Sequence, residues 1–174
     1  MAFSYLESVK KYFNQQKSLG DKTIAQLSEE NLLWQYNENS NSIGIIVQHL
    51  WGNMLSRWTN FLTEDGEKSW RDRDIEFESV IKTKEELFQK WNAGWDCVFN
   101  TLNSLKEEDL SKTIYIRKEP HQVGDAINRQ LAHYSNHVGQ IIYIGKMCLN
   151  EQWNSLSISK GNSKDFNKKM MEKK

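Results

Sequence analysis

Apolar residues recur at spacings of three and four in four stretches of the chain, the period of an amphipathic helix, and predict four long helices. In the first, over about residues 3–27, Phe3, Leu6, Val9, Phe13, Ile24 and Leu27 lie on or near one face. Ser28 to Asn31 then reads as a cap or turn, and Asn37 to Asn41 as a polar connection. The second helix takes Asn41 or Ser42 as N-cap and runs to about Leu62, with Ile43, Ile46, Val47, Leu50, Met54 and Phe61 as its stripe. The third opens on the capping box formed by Thr83 and Glu86 and repeats Phe88, Trp91, Trp95, Val98, Phe99 and Leu102. The fourth starts soon after Pro120, the one proline, and reaches about Leu149 through Ile127, Leu131, Tyr134, Val138, Ile141 and Ile142.

The segments between are less regular. Residues 63–82 form a long polar connection, of the length usually kept for functional or mobile loops. Thr113 to Arg117 has strand character, and the Lys-, Ser- and Asn-rich tail from Ser159 to Lys174 reads as frayed or disordered. No repeat or coiled-coil heptad is present. The expectation is an all-α domain over residues 1–158, a four-helix bundle with long crossover connections, followed by a flexible polar tail over 159–174.

Composition narrows the function. At 174 residues, 38% hydrophobic and 26% charged, the chain has the balance of one soluble domain. Lys plus Arg equals Asp plus Glu, 23 each, so no nucleic-acid partner is expected. The N-terminal residues lack the apolar core of a secretory signal. The strongly apolar run near Ile43 to Val47 falls far short of the roughly 20 residues of a spanning helix, so no membrane partner is expected. Cys97 and Cys148 are distant and form no CxxC pair, which points to a reducing cytoplasm. The seven tryptophans read as bulky packing residues.

Histidine carries the candidate chemistry. His133 and His137, at i and i+4, stack on one helical face, where two imidazoles can reach one ion; packed or solvated histidines have the same spacing. Their stripe, with Ala126, Gln130, Gln140, Ile144 and Cys148, borders the apolar arc of helix four. His49 lies on a similar margin of helix two, with Ser42, Asn53, Ser56 and Asn60. Two polar stripes beside two hydrophobic seams suggest a shared pocket, the way bundles build metal sites. Three histidines would leave an ion an open position, whereas structural zinc sites usually have four protein ligands. Zinc, nickel, iron(II) and manganese all fit such a set. Asn53, Ser56 and Gln140 are candidates to hold the second ring nitrogens. His121 reads as a surface or capping residue at the start of helix four, Cys148 as a small core residue.

The segments SIGIIVQHLWGNMLSRW (Ser42 to Trp58) and AINRQLAHYSNHVGQIIYIGK (Ala126 to Lys146) resemble the DinB-like, or YfiT-like, four-helix-bundle proteins. WNSLSISKG (Trp153 to Gly161) resembles the close of one small bacterial branch of them. The resemblance implies that the family's metal triad corresponds to His49, His133 and His137, in an up-down-down-up bundle that is frequently a homodimer. It also implies a metal-dependent enzyme transferring a low-molecular-weight thiol, of the bacillithiol kind, to an electrophilic small molecule. A metal-dependent hydrolase and a non-catalytic, metal-stabilised ligand-binding or stress protein are the alternatives. No carboxylate stands out as a general base for hydrolysis. Arg57, Arg71 and Arg73 either pair with the thiol's carboxylates or are solvated surface charges. Trp70 either covers the pocket or packs.

Overall fold

Several helices start on side-chain caps. In the computed structural model, which describes residues 4–78 and 80–172, Ser4 accepts from the Glu7 N–H and opens α1 (Tyr5–Gln26). Phe3, expected on the apolar face of this helix, lies outside the described residues. Ser28 and Asn31 form a reciprocal cap, but the turn expected there continues into a short helix, α2 (Glu29–Leu33). Ser42 caps α3 (Ile43–Trp58). Asp72 caps α4 (Arg73–Glu76), which lies inside the long polar connection. The Thr83–Glu86 capping box opens α5 (Lys84–Ser104) as expected.

A hairpin of β1 (Thr113–Ile116) and β2 (Glu119–Gln122) precedes α6 (Val123–Leu149). Its two turn residues, Arg117 and Lys118, have φ of 56° and 64°. Both backbone N–H groups donate to the Asp65 carboxylate at 2.8 Å, which ties the turn to the long connection. Pro120 therefore stands in β2, opposite Tyr115, and α6 begins soon after it, as expected. A two-stranded sheet has free edges, so a residue without an N–H fits there.

Three further boundaries differ from expectation. The second long helix ends at Trp58, not near Leu62, because Asn60 takes a left-handed φ of 51°. Phe61 is thus off the helix, but it remains buried and stacks on Trp58 at 5.0 Å. The tail expected to be frayed carries α7 (Ser163–Met171), none of whose residues is buried.

The four long helices, α1, α3, α5 and α6, make an all-α bundle, with α3 packed chiefly on α5 and α1 on α6. Phe13, Leu50, Trp95, Val98, Ile127 and Tyr134 are among the side chains filling its centre. The tryptophans divide: Trp58, Trp91 and Trp95 are fully buried, whereas Trp34 and Trp70 are exposed. No helix among the described residues is long and apolar enough to cross a membrane.

Of the 16 residues of α3, 14 are buried, so this helix is enclosed on all sides. Its polar stripe must then find partners inside the protein, since an unpaired buried polar group costs about 1–3 kcal/mol. The connection after α3 supplies them. Gln48 donates to the Ile75 carbonyl at 2.8 Å, and Ser56 to the Gly66 carbonyl at 2.7 Å. Arg57 reaches the same Gly66 carbonyl and, at 3.2 Å, the Glu67 carboxylate. The long polar loop is the complement of a buried polar helix face.

Candidate metal centre

His49 comes from the middle of α3, and His133 and His137 from successive turns of α6. The Nε2 atom of His133 lies 3.3 Å from that of His49 and 3.1 Å from that of His137. One ligand atom from each residue falls within 4.8 Å of the other two. The ring planes meet at 62° to 83°, so three separate lone pairs converge on one space. The helices bring together the three histidines that the sequence picked out, and such a group can hold a metal ion.

The opposite nitrogens are anchored. His49 Nδ1–H donates to Glu76 Oε2 at 2.9 Å, and His137 Nδ1–H to Gln140 Oε1 at 3.0 Å. Both bonds fix the tautomer that leaves Nε2 as a free acceptor, which is how the outer contacts of metal-binding histidines work. Burial, then the neighbouring imidazoles and the charges of Arg71 and Arg57, pull the His133 pKa down to about 3. Burial also lowers His137, against the hydrogen bond with Gln140. Both rings are neutral at pH 7, the form a metal requires. Phe77, next to Glu76, stacks on the His49 ring at 5.0 Å.

Glu76 itself is buried and held on two sides. Arg71 Nε donates to its Oε1 at 2.6 Å, and Arg71 Nη2 to its Oε2 at 2.8 Å. Burial works to raise this carboxyl's pKa, but the hydrogen bonds from Arg71 and His49 outweigh it and keep the group below the usual carboxylate range. The absence of a side chain at Gly52 makes the room: a Cβ there would meet Glu76 Oε1 at 2.3 Å.

Beside the histidines opens a cavity of about 270 Å³, lined by Arg57, Arg73, Arg117, Arg129, Asn53 and Gln130 together with His49 and His133. Arg57, expected either to meet a ligand or to be solvated, is 5% exposed, so it is no surface charge. Arg73 lines the same cavity, while Arg71 is committed to Glu76.

Several expected roles fall elsewhere. Asn53 accepts from the Tyr134 hydroxyl and Ser56 donates to Gly66, so of the three proposed histidine partners only Gln140 acts as one. Asn60, expected on the stripe of His49, is in the turn after α3. His121 sits in β2 opposite Ile114, with Nε2 buried and unpartnered, and takes no part in the cluster. Trp70 is 57% exposed and lines a different cavity, with Glu76 and Lys90. Cys148 is a half-buried packing residue whose thiol pKa burial raises.

Glu76, Phe77, Arg117, Arg129 and Gln130 had no assigned site role. Glu76 did carry a signal, a lone acid between Ile75 and Phe77 in an otherwise polar loop, four residues after an Asp able to cap a helix turn.

Comparison with known proteins gives the setting. No curated protein matches the chain. A solved structure described as the "conserved protein of locus from Enterococcus faecalis" superposes with a TM-score of 0.65. The match covers 86% of this chain and 99% of that one, at 16% identity, a likeness that speaks to the fold alone. The family described as "Protein of unknown function (DUF1572)" matches residues 1–162, which include all four bundle helices and the three histidines and leave out α7. The chain belongs to the DUF1572 family.

Proposed function

We propose that the protein is a metal-dependent transferase, in which His49, His133 and His137 hold one divalent transition metal and a low-molecular-weight thiol is conjugated to an electrophilic small molecule. The observation that carries this reading is the convergence of three imidazoles, two of them anchored from behind, His49 by Glu76 and His137 by Gln140. The resemblance to DinB-like bundle proteins supports it and implies a homodimer, and the two distant cysteines favour a reducing cytoplasm.

Three histidines are a ligand set of the open kind, and a metal held there would supply Lewis acidity that turns a thiol into its nucleophilic thiolate near neutral pH. The protein's own groups do the rest. Glu76 and Gln140 hold two rings in the metal-binding tautomer. Phe77 covers one face of His49. The arginine-lined cavity offers positive charge next to His49 and His133, where it would favour an anionic partner.

Hydrolysis fits less well. A general base needs basicity and access, and the buried Glu76 carboxylate already accepts three hydrogen bonds from Arg71 and His49, which lower its pKa. An assay decides. Purified, metal-loaded protein should consume a bacillithiol-like thiol in the presence of monochlorobimane or a chloronitrobenzene, and chelation should stop it. A chelator that lowers the melting temperature sharply, with no thiol turnover at any metal loading, would make the ion a structural staple and overturn the reading.

A further inference from the structure

The chain has five arginines, at positions 57, 71, 73, 117 and 129. They come from α3, the long connection, the hairpin turn and α6, yet four of them line the one cavity beside His49 and His133. None of the far more numerous lysines lines it, and neither does any carboxylate. Arginine is the side chain whose planar fork matches an oxyanion, while lysine offers a single point charge.

The charges do not cancel. Arg57, Arg73 and Arg117 are gathered on one carboxylate, Glu67, with the closest contact 2.6 Å from Arg73 Nη2. Within ion-pair distance, three guanidinium groups therefore share one carboxylate among the described residues. Arg129 is exposed and has no carboxylate within ion-pair distance among the described residues. Burying Arg57 costs desolvation energy that one shared carboxylate only partly offsets. Burial and the charges of Arg71 and Arg73 pull its pKa below the usual range, as expected where cations are crowded. Gln130, also buried, lines the same cavity with its carboxamide oxygen unpartnered, an acceptor for a ligand hydroxyl or amide.

We propose that this cavity is an anion subsite next to the histidine cluster, and that the small molecule handled there carries two or more carboxylate or phosphate groups, held by Arg57, Arg73, Arg117 and Arg129. The inference rests on the reading above for the reaction, while its binding claim can be measured alone. Glu67 shows the geometry in miniature: a carboxylate already draws three of the four arginines together. The size, about 270 Å³ and concave, suits a compact metabolite at the small end of ligand pockets, and not a polymer. The even overall balance of charge, 23 against 23, argues the same way, since the positive field is local to this cavity.

The test uses titration calorimetry on the full chain, metal-free and metal-loaded, with tricarballylate as the polycarboxylate probe and inorganic phosphate as the second arm. At least one should bind with one-to-one stoichiometry and weaken as salt is raised; whichever binds tighter names the anionic group. Arg129→Ala should weaken binding roughly ten- to a hundredfold, the scale of a lost charge-assisted hydrogen bond. Arg129→Lys should recover part of that loss. Arg129 is exposed and without an ion-pair partner among the described residues, so its variants should keep the wild-type melting temperature and metal content. Absence of binding by both probes, or equal affinity for wild type and Arg129→Ala, would overturn the proposal. Anion binding without metal uptake would sink the transferase reading and leave the subsite standing; metal uptake without anion binding would do the reverse.

Discussion

His133 and Tyr134 are neighbours on α6, yet they belong to two polar regions built on opposite rules. The Tyr134 hydroxyl accepts from Trp58 Nε1 at 2.9 Å and donates to Asn53 Oδ1 at 3.0 Å. The Trp58 and Tyr134 donors both meet an acceptor, and burial pushes the phenol's pKa far above its usual range, so the group stays neutral and inert. At His133 three ring nitrogens of the same kind face one another at 3.1 and 3.3 Å instead. Such crowding gains nothing for the folded chain, and the lowered pKa of His133 records its resistance to a proton. A polar cluster that satisfies itself is structure; one that gathers like groups and anchors them from behind is waiting for something from outside.

That contrast can be broken first at Glu76. Glu76→Ala leaves Arg71, whose side chain is 1% exposed, as an uncompensated buried charge, and should cost roughly 3–5 kcal/mol of stability by chemical denaturation. The same change should lower metal affinity about 10- to 100-fold, because His49 loses its anchor. Tyr134→Phe removes a partner from both Trp58 and Asn53 and should cost about 1–3 kcal/mol. Metal affinity should be unchanged in that variant; a loss comparable to that of Glu76→Ala would merge the two regions and undo the distinction. Gly52→Ala is subtler. Its Cβ would push into the Glu76 carboxylate, an overpacking cost of about 1–3 kcal/mol. Weakened metal binding without any change to a ligand is the expected signature, read by competition with a chromogenic chelator.

The smallest effect is on acid stability. Hydrogen bonding from Arg73 outweighs burial and, with the charges of Arg73 and Arg57, holds the Glu67 pKa at about 2, below its ordinary value of 4.5. A depressed pKa contributes stability that is complete above the unfolded value and is lost as pH falls through the folded one. Melting temperatures measured between about pH 5 and 2 should therefore fall less steeply for Glu67→Gln than for wild type. Equal slopes would remove Glu67 as a stabilising hub.

The sequence carried the bundle and the histidines because both obey a local rule. The capping box of Thr83 and Glu86, the Ser42 cap and the i, i+4 pair of His133 and His137 are all readable within one helical turn. What was not readable depends on long-range closure. Pro120 marked the helix that follows it but not the strand it occupies, because that hairpin is tied down by Asp65, more than fifty residues away. Glu76 and Arg117 reach the site only after the long connection folds back onto α3. The arginines looked like surface charges for the same reason: nothing near Arg57 in sequence shows that α3 is enclosed. The histidines could be paired from stripes alone, and so could Gln140, which shares the stripe of His137; Glu76, in a distant loop, could not.

Whether three imidazoles from two helices take up one divalent metal is decided by metal analysis of protein purified without a histidine tag. Close to one transition-metal ion per chain is expected, and none in the variant with alanine at positions 49, 133 and 137, on a bundle that still folds. Full metal content in that triple variant, or wild-type protein that stays empty when offered zinc, nickel, iron(II) and manganese, would contradict it.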